Sequence, residues 1–226
     1  MPSLASPNAS RHPATRCEPS RECPACPRLV AFRHEARARE PAWHNAPVPS
    51  FGDLAARLLI VGLAPGLRGA NRTGRPFTGD YAGDLLYRTL SEHGLSRGVF
   101  AARPDDGLSL VDTMLTNAVR CVPPENKPTG GEIAACRPFL SATIAALPRL
   151  KVIVALGRVA HESTLRALGH RPNAHTFRHA ARHDVGGVAL FDSYHCSRYN
   201  TQTRRLTPEM FKAVFAAVRA ELDAAG

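Results

Sequence analysis

Residues 58–80 read LLIVGLAPGLRGANRTGRPFTGD, and the opening of this stretch decides the fold. Leu58 to Val61 is a short apolar run of strand-forming residues, bounded by Gly62, and reads as a buried β-strand. It ends in Gly62-Leu63-Ala64-Pro65-Gly66, a turn whose glycines let the backbone bend tightly and let a ligand come close. A long loop carrying Arg68, Arg72 and Arg75 follows and closes on Phe77-Thr78-Gly79-Asp80. Ligands of α/β sheets bind beyond the carboxyl ends of the strands. A glycine turn, a ring, a carboxylate and three guanidiniums at such a place point to a pocket for something flat with an anionic backbone.

Two phosphate motifs are excluded. Gly62 is followed by Leu63 and Ala64, so the G-x-G-x-x-G spacing fails, and no Gly-Lys pair followed by Ser or Thr completes a Walker loop. Nucleotide hydrolysis is therefore disfavoured.

Outward from this stretch, Lys151 to Leu156 (KVIVAL) is the clearest buried parallel strand, with Val111 to Val119 and Val188 to Asp192 as further strands. Helices are expected from Cys26 to about Glu40, Tyr81 to His93, Thr129 or Gly130 to about Ala146, His161 to Leu168, and from Thr207-Pro208 onward. Strands alternating with helices give an α/β fold with a parallel sheet covered on both faces. The 226 residues suit one domain, 17–226, behind a Pro- and Ser-rich tail, 1–16, that is expected to be disordered.

Lys plus Arg number 29 against 19 for Asp plus Glu, a formal charge of +10, which favours a polyanionic partner such as DNA or RNA. An Arg-rich compositional bias would give the same surplus. No apolar run is long enough to span a membrane, and the N-terminus lacks the apolar core of a signal peptide. A cytoplasmic protein is expected, with its six cysteines as thiolate ligands rather than disulfides. Cys23-Pro24-Ala25-Cys26 is a C-x-x-C, and Cys121 and Cys136 form a second pair. Four sulfurs suit tetrahedral zinc or an iron–sulfur cluster, and softness does not separate the two. His175, His179 and His183 recur every fourth residue, but with no H-E-x-x-H arrangement a metal reading is weak, and His179 is read as lining a pocket rim.

Three blocks, GLAPGLRGANRTGRPFTGD, TNAVRCVPPENKPTGGEIAAC and SYHCSRYNTQTRRLTPEM, together resemble the family 5 (type b) uracil-DNA glycosylases, and CPACPRLVAFRHE resembles their N-terminal cluster segment. The resemblance implies a three-layer α/β/α sandwich with a central four-stranded parallel sheet. It implies a structural [4Fe–4S] cluster on Cys23, Cys26, Cys121 and Cys136, with no catalytic metal. It also implies a monomeric enzyme of the bacterial nucleoid that extrudes uracil from double-stranded DNA, hydrolyses the N-glycosidic bond and leaves an abasic site for base excision repair.

On that reading Gly62, Leu63, Ala64 and Gly66 line the base pocket and Phe77 stacks on the base. Asn117 offers a donor and an acceptor to the uracil edge, and His195 donates to the departing base. Asp80 is a general base or stabiliser of the cationic sugar, and equally the N-cap of the helix that follows. Arg68, Arg72, Arg75, Arg198 and Arg205 are phosphate clamps, and Tyr199 fills the space that the extruded nucleotide leaves. The small Ala64, where related families place a polar group, suggests a roomy pocket that also takes hypoxanthine, xanthine or ethenocytosine. Ala180 and Arg204 stand where the resembled family usually has Gly, and Cys196 where it usually has Val or Pro. The rival reading is a zinc-stabilised nucleic-acid-binding module without catalysis, which leaves Phe77, Asn117 and His195 without a shared purpose.

Overall fold

The computed structural model describes residues 17–225, so the expected tail lies outside the described residues. In chain order the elements are α1 (Pro27–Arg39), β1 (Phe51–Gly52), β2 (Leu58–Gly62), α2 (Ala70–Thr73), α3 (Tyr81–Glu92), β3 (Ser96–Arg97), β4 (Ser109–Leu110), β5 (Thr113–Asn117), α4 (Gly130–Ala145), β6 (Val152–Leu156), α5 (Arg158–Ala167), β7 (Arg182–Val185), β8 (Val188–Ser193), α6 (Arg198–Gln202) and α7 (Pro208–Ala224).

The sheet order is β1-β5-β2-β6-β8-β7. Its middle four strands are parallel, as the sequence implies, while β1 and β7 add antiparallel edges. Both edges escaped the sequence reading for physical reasons. β1 is two residues long, and β7 (RHDV) carries no apolar alternation because it faces largely outward. The hairpin from β7 to β8 turns on Gly186-Gly187, both at positive φ, as a tight two-residue turn requires.

Side chains alternate cleanly across the sheet. Leu58, Ile60, Leu115, Val152, Val154 and Phe191 face α3 and α7 on one side. Leu59, Val61, Met114, Ile153, Ala155 and Leu190 face α4 and α5 on the other. Each side is buried, which leaves these strands largely apolar and yields the three-layer sandwich.

The helices begin where local chemistry favours it. Asp80 accepts from Gly83 N at the start of α3. Thr129 and Glu132 form a reciprocal capping box at the start of α4. Thr207 accepts from Met210 N ahead of Pro208 in α7. α5 starts at Arg158, three residues earlier than the sequence suggests, because Gly157, at φ +97, turns the chain directly from β6 into the helix. The Arg-rich loop also holds a single turn, α2, closed by Gly74 at φ +77. No helix of the described residues is long and apolar enough to cross a membrane.

Candidate active site

The parallel strands deliver residues to one edge of the sheet. β2 ends at Gly62, β5 at Asn117, β6 runs into Gly157, and β8 leads through Tyr194 to His195. Gly62 lacks a side chain for a definite reason: a Cβ there would collide with Asn117 Oδ1 on one side and the Phe77 ring on the other. The Phe77 ring in turn lies 6.2 Å from that of His195, the planes inclined by 30°. Residues 62, 77, 117 and 195, far apart in sequence, thus form one contiguous group.

A cleft of about 1080 Å³ opens in front of them, lined by Leu63, Ala64, Gly66, Asp80 and His195 among others. Phe77 and Asn117 are 6% and 4% exposed and Gly62 is buried between them; unlike Leu63, Ala64 and Gly66, these three do not line the cleft wall. Phe77 has φ +53, a left-handed conformation that a bulky residue adopts only when its surroundings impose it. Here Thr78 and Pro76 are fixed on either side, Thr78 by Arg75 and Pro76 by the Tyr87 hydroxyl, which donates to its carbonyl at 2.8 Å.

Asp80 serves two ends. Its Oδ1 accepts from Gly83 N at 3.2 Å, while Oδ2 faces Gly66 and Gly69, where a Cβ on Gly69 would collide with it. Burial raises its pKa above the usual carboxylate value, against the opposing pull of the Gly83 and Ala82 amides. One carboxylate therefore caps α3 and still presents an oxygen to the cleft. His195 is half-buried on the cleft, and burial penalises its cation, so its pKa is lowered to about 4. At neutral pH it is a neutral imidazole. Its carbonyl accepts from Asn200 Nδ2 at 2.8 Å, and Ser197 caps α6 just beyond, so the 195–200 turn is held in place.

Arg68, Arg72, Arg198 and Tyr199 line the mouth of the cleft. Tyr199 is 71% exposed, and Arg198 lies over the exposed Tyr81 ring. Arg205 is exposed and stacks on Tyr194, 4.7 Å from its ring centre.

Arg75 is the exception among the expected clamps. It is 4% exposed, makes a two-pronged ion pair with Asp106 at 2.8 and 2.7 Å, and sits against the rings of Phe51, Tyr87 and Phe100. A guanidinium so enclosed does not reach a phosphate; it braces the loop that carries Phe77. His179 is a second correction. It stacks on Tyr194 and accepts from Tyr194 N, and does not line the cleft.

Sequence reasoning missed Gly69, Tyr81 and Asn126, all on the cleft. The G-x-x-G spacing of Gly66 and Gly69 ahead of a carboxylate was the available signal for the first. Asn126, at φ +57, comes from the proline-broken loop after β5, and nothing in its surroundings in sequence announces it. Cys196 is fully buried and donates to Ala82 O at 3.5 Å, a small filler beneath α3 rather than a pocket group.

Cys23, Cys26, Cys121 and Cys136 converge on one small cavity closed by Leu29, Val119 and Phe139. None of the cysteines forms a disulfide. The Arg120 amide donates to Cys136 Sγ at 3.3 Å and the buried Arg33 guanidinium to Cys121 Sγ at 3.6 Å, contacts that suit sulfurs carrying negative charge. Burial otherwise pushes the Cys121 and Cys136 thiols up to about 11. Among the described residues, three ligand atoms approach within 4.8 Å of one another at His161, His183 and Asp192, and not among the four sulfurs. Ala64 packs against the cysteine patch, and Val119 N donates to Leu63 O, so this patch and the cleft share a wall.

The family model of the uracil DNA glycosylase superfamily matches residues 49–219. A type-5 uracil-DNA glycosylase of Thermus thermophilus is 52% identical over 199 residues, covering 85% of this chain and 90% of the relative. Another from Pyrobaculum aerophilum is 39% identical over 203 residues, covering 88% of each chain. A type-4 uracil-DNA glycosylase of the latter organism is 34% identical over 152 residues, covering 67% of this chain and 63% of the relative. The matched span contains the glycine turn, Phe77, Asp80, Asn117 and His195, and the chain belongs to the uracil DNA glycosylase superfamily.

Proposed function

We propose that the protein removes uracil from double-stranded DNA by hydrolysing the bond between base and sugar, as a step of base excision repair. The observation that carries this reading is the convergence of Asn117 and Phe77 on Gly62, with His195 beside the Phe77 ring and with His195 and Asp80 both on the cleft. The extruded base stacks on Phe77, whose ring the strained backbone holds in one orientation. Asn117 accepts from uracil N3–H and donates to O4, a pattern that cytosine inverts.

As the bond breaks, negative charge gathers on the base and positive charge on the sugar. His195, being neutral, gives a hydrogen bond from its N–H to the O2 side of the leaving base without handing over a proton. Asp80 Oδ2 faces the opposite partner: it steadies the sugar cation and accepts the proton of the attacking water. Arg68, Arg72, Arg198 and Arg205 hold phosphates, and Tyr199, exposed at the mouth, occupies the vacated stack. Leu63 and Ala64 place no polar group against the base, which supports acceptance of hypoxanthine and xanthine as well.

Four thiolates around one cavity would hold a [4Fe–4S] cluster. Two buried guanidiniums, Arg33 and Arg120, would offset part of the negative charge of four thiolates. Such a group ties α1 to the loop after β5 and needs no redox step. The protein acts as a monomer in the cytoplasm on this reading.

The test is incubation with duplex containing a single uracil, then alkaline cleavage of the abasic strand. Strand scission at the uracil supports the reading, and an intact strand under conditions where the protein binds DNA refutes it. Purified protein should be brown, with a broad visible absorption band; a colourless preparation containing stoichiometric zinc would refute the cluster.

A further inference from the structure

We propose that a second groove, centred on Trp43, holds the stretch of the damaged strand that continues from the extruded nucleotide, with the indole stacking on one of its bases. The proposal rests on the DNA reading above and adds a binding subsite to it. The groove, about 530 Å³, lies between the 40–48 loop and the 102–104 turn, and Arg72 and Ala102 line both it and the base cleft. A strand with one nucleotide in the cleft must leave it, and the groove is a continuous path.

Its charge suits a phosphate backbone. Arg21, Arg72 and Arg103 all line it. Arg21 has Glu22 only at 4.0 Å, and Glu22 is engaged more closely by Arg37, at 2.8 Å. Arg103 has Asp105 at 3.7 Å, with both side chains more than two-thirds exposed. Pairs so open to water are weak and readily give way to phosphate. Among the described residues Arg72 has no carboxylate partner within 4.0 Å.

The ring is set up as a platform. Trp43 belongs to none of the three apolar clusters, and among the described residues no aromatic ring stacks on it. Its loop is nonetheless fixed. Trp43 N donates to Glu40 O, His44 N to Arg72 O and Asn45 N to Asn71 O, at 3.0–3.1 Å, and Asn71 Nδ2 donates to Asn45 Oδ1 at 2.8 Å. Gly74 leaves room for the His44 ring, which a Cβ would strike. An aromatic held in place before its ligand arrives loses little entropy on binding, and every base offers a face to it.

Trp43 is the sole tryptophan, so intrinsic emission reports this groove alone. Titration with a short duplex carrying a stable abasic analogue should quench that emission with the same Kd that anisotropy of labelled DNA gives. Trp43→Ala should weaken binding about 5- to 150-fold, with Trp43→Phe recovering most of it and circular dichroism unchanged. Arg103→Gln should lower the slope of log Kd against log salt by about one. Saturable binding by anisotropy with unchanged tryptophan emission would overturn the proposal, as would a folded Trp43→Ala variant that binds like the wild type. An acidic protein as the groove's natural occupant would give that same pattern. Quenching without any uracil release would leave the groove standing and refute the glycosylase reading instead; uracil release without quenching would do the reverse.

Discussion

At the scale of single residues, His195 carries the clearest expectation. Loss of one donor to developing charge costs about 10²–10³ in rate, so His195→Ala should lose that much kcat and keep its melting temperature. Because the ring is already neutral well above about 4, the rate should be flat across roughly pH 6–7, where an ordinary imidazole titrates. An inflection near pH 6.5 that vanishes in His195→Ala would contradict this. Asp80→Asn separates the two duties of that side chain. The amide oxygen still caps α3, so stability should stay within about 0.5 kcal/mol, while kcat falls by about 10²-fold or more. The sequence presented these two duties as rivals; in the structure Oδ1 meets Gly83 N while Oδ2 faces Gly66 and Gly69, so the cap leaves one oxygen of the carboxylate uncommitted. His161 behaves oppositely to His195. Burial works against its charge, but Asp192, 2.7 Å from Nδ1, outweighs it and raises the pKa. Its other nitrogen meets His175 O at 2.9 Å, and His183 Nε2 shares the same carboxylate at 2.9 Å. The folded state thus favours the proton. The stabilisation is complete below the unfolded imidazole value of about 6.5 and is lost as pH rises through the higher folded value. Thermal melts from acid to alkaline pH should show that decline, and His161→Gln should flatten it.

At the scale of elements, the turns matter more than the strands. Ala180 and Arg204 both adopt positive φ, +62 and +57, at the two places where the resembled glycosylases usually carry glycine. A left-handed residue with a Cβ costs about 1–2 kcal/mol, partly offset because glycine loosens the unfolded chain by about 0.4–1 kcal/mol. Ala180→Gly and Arg204→Gly should each therefore stabilise by roughly 0.5–1 kcal/mol in urea unfolding; destabilisation would mean that the side chains make contacts worth more than the strain. The central strands were legible because burial on both faces leaves largely apolar runs, clearest in β2 and β6. The starts of α3, α4 and α7 were legible because capping chemistry is local. β1, β7 and α2 were not: two residues, or four mostly polar ones, hold their shape through partners distant in sequence. Arg75 misled for a related reason. Nothing near it in sequence announces Asp106, 31 residues on, whose carboxylate takes the guanidinium out of solvent.

At the scale of the molecule, the segment ahead of the sheet is anchored at several points. Cys23 and Cys26, Arg28 bonded to Glu132, and Arg120 bonded to Glu18 join it to the rest. Cys121→Ser should abolish visible absorbance and lower the melting temperature of the whole protein, since the buried Arg33 would lose its sulfur partner beside an incomplete quartet. A variant that melts like the wild type would assign the cysteines a lesser role. The parallel order of β5, β2, β6 and β8 has a consequence of its own. β2, β5 and β8 bring Gly62, Asn117 and His195 to the same rim, and helical crossovers separate them, so no fragment shorter than 62–195 contains all of the proposed centre. Turnover is then a meter of assembly. In rising denaturant it should vanish along the same curve as ellipticity, and a nick between α4 and β6 should silence the protein until both pieces are annealed together.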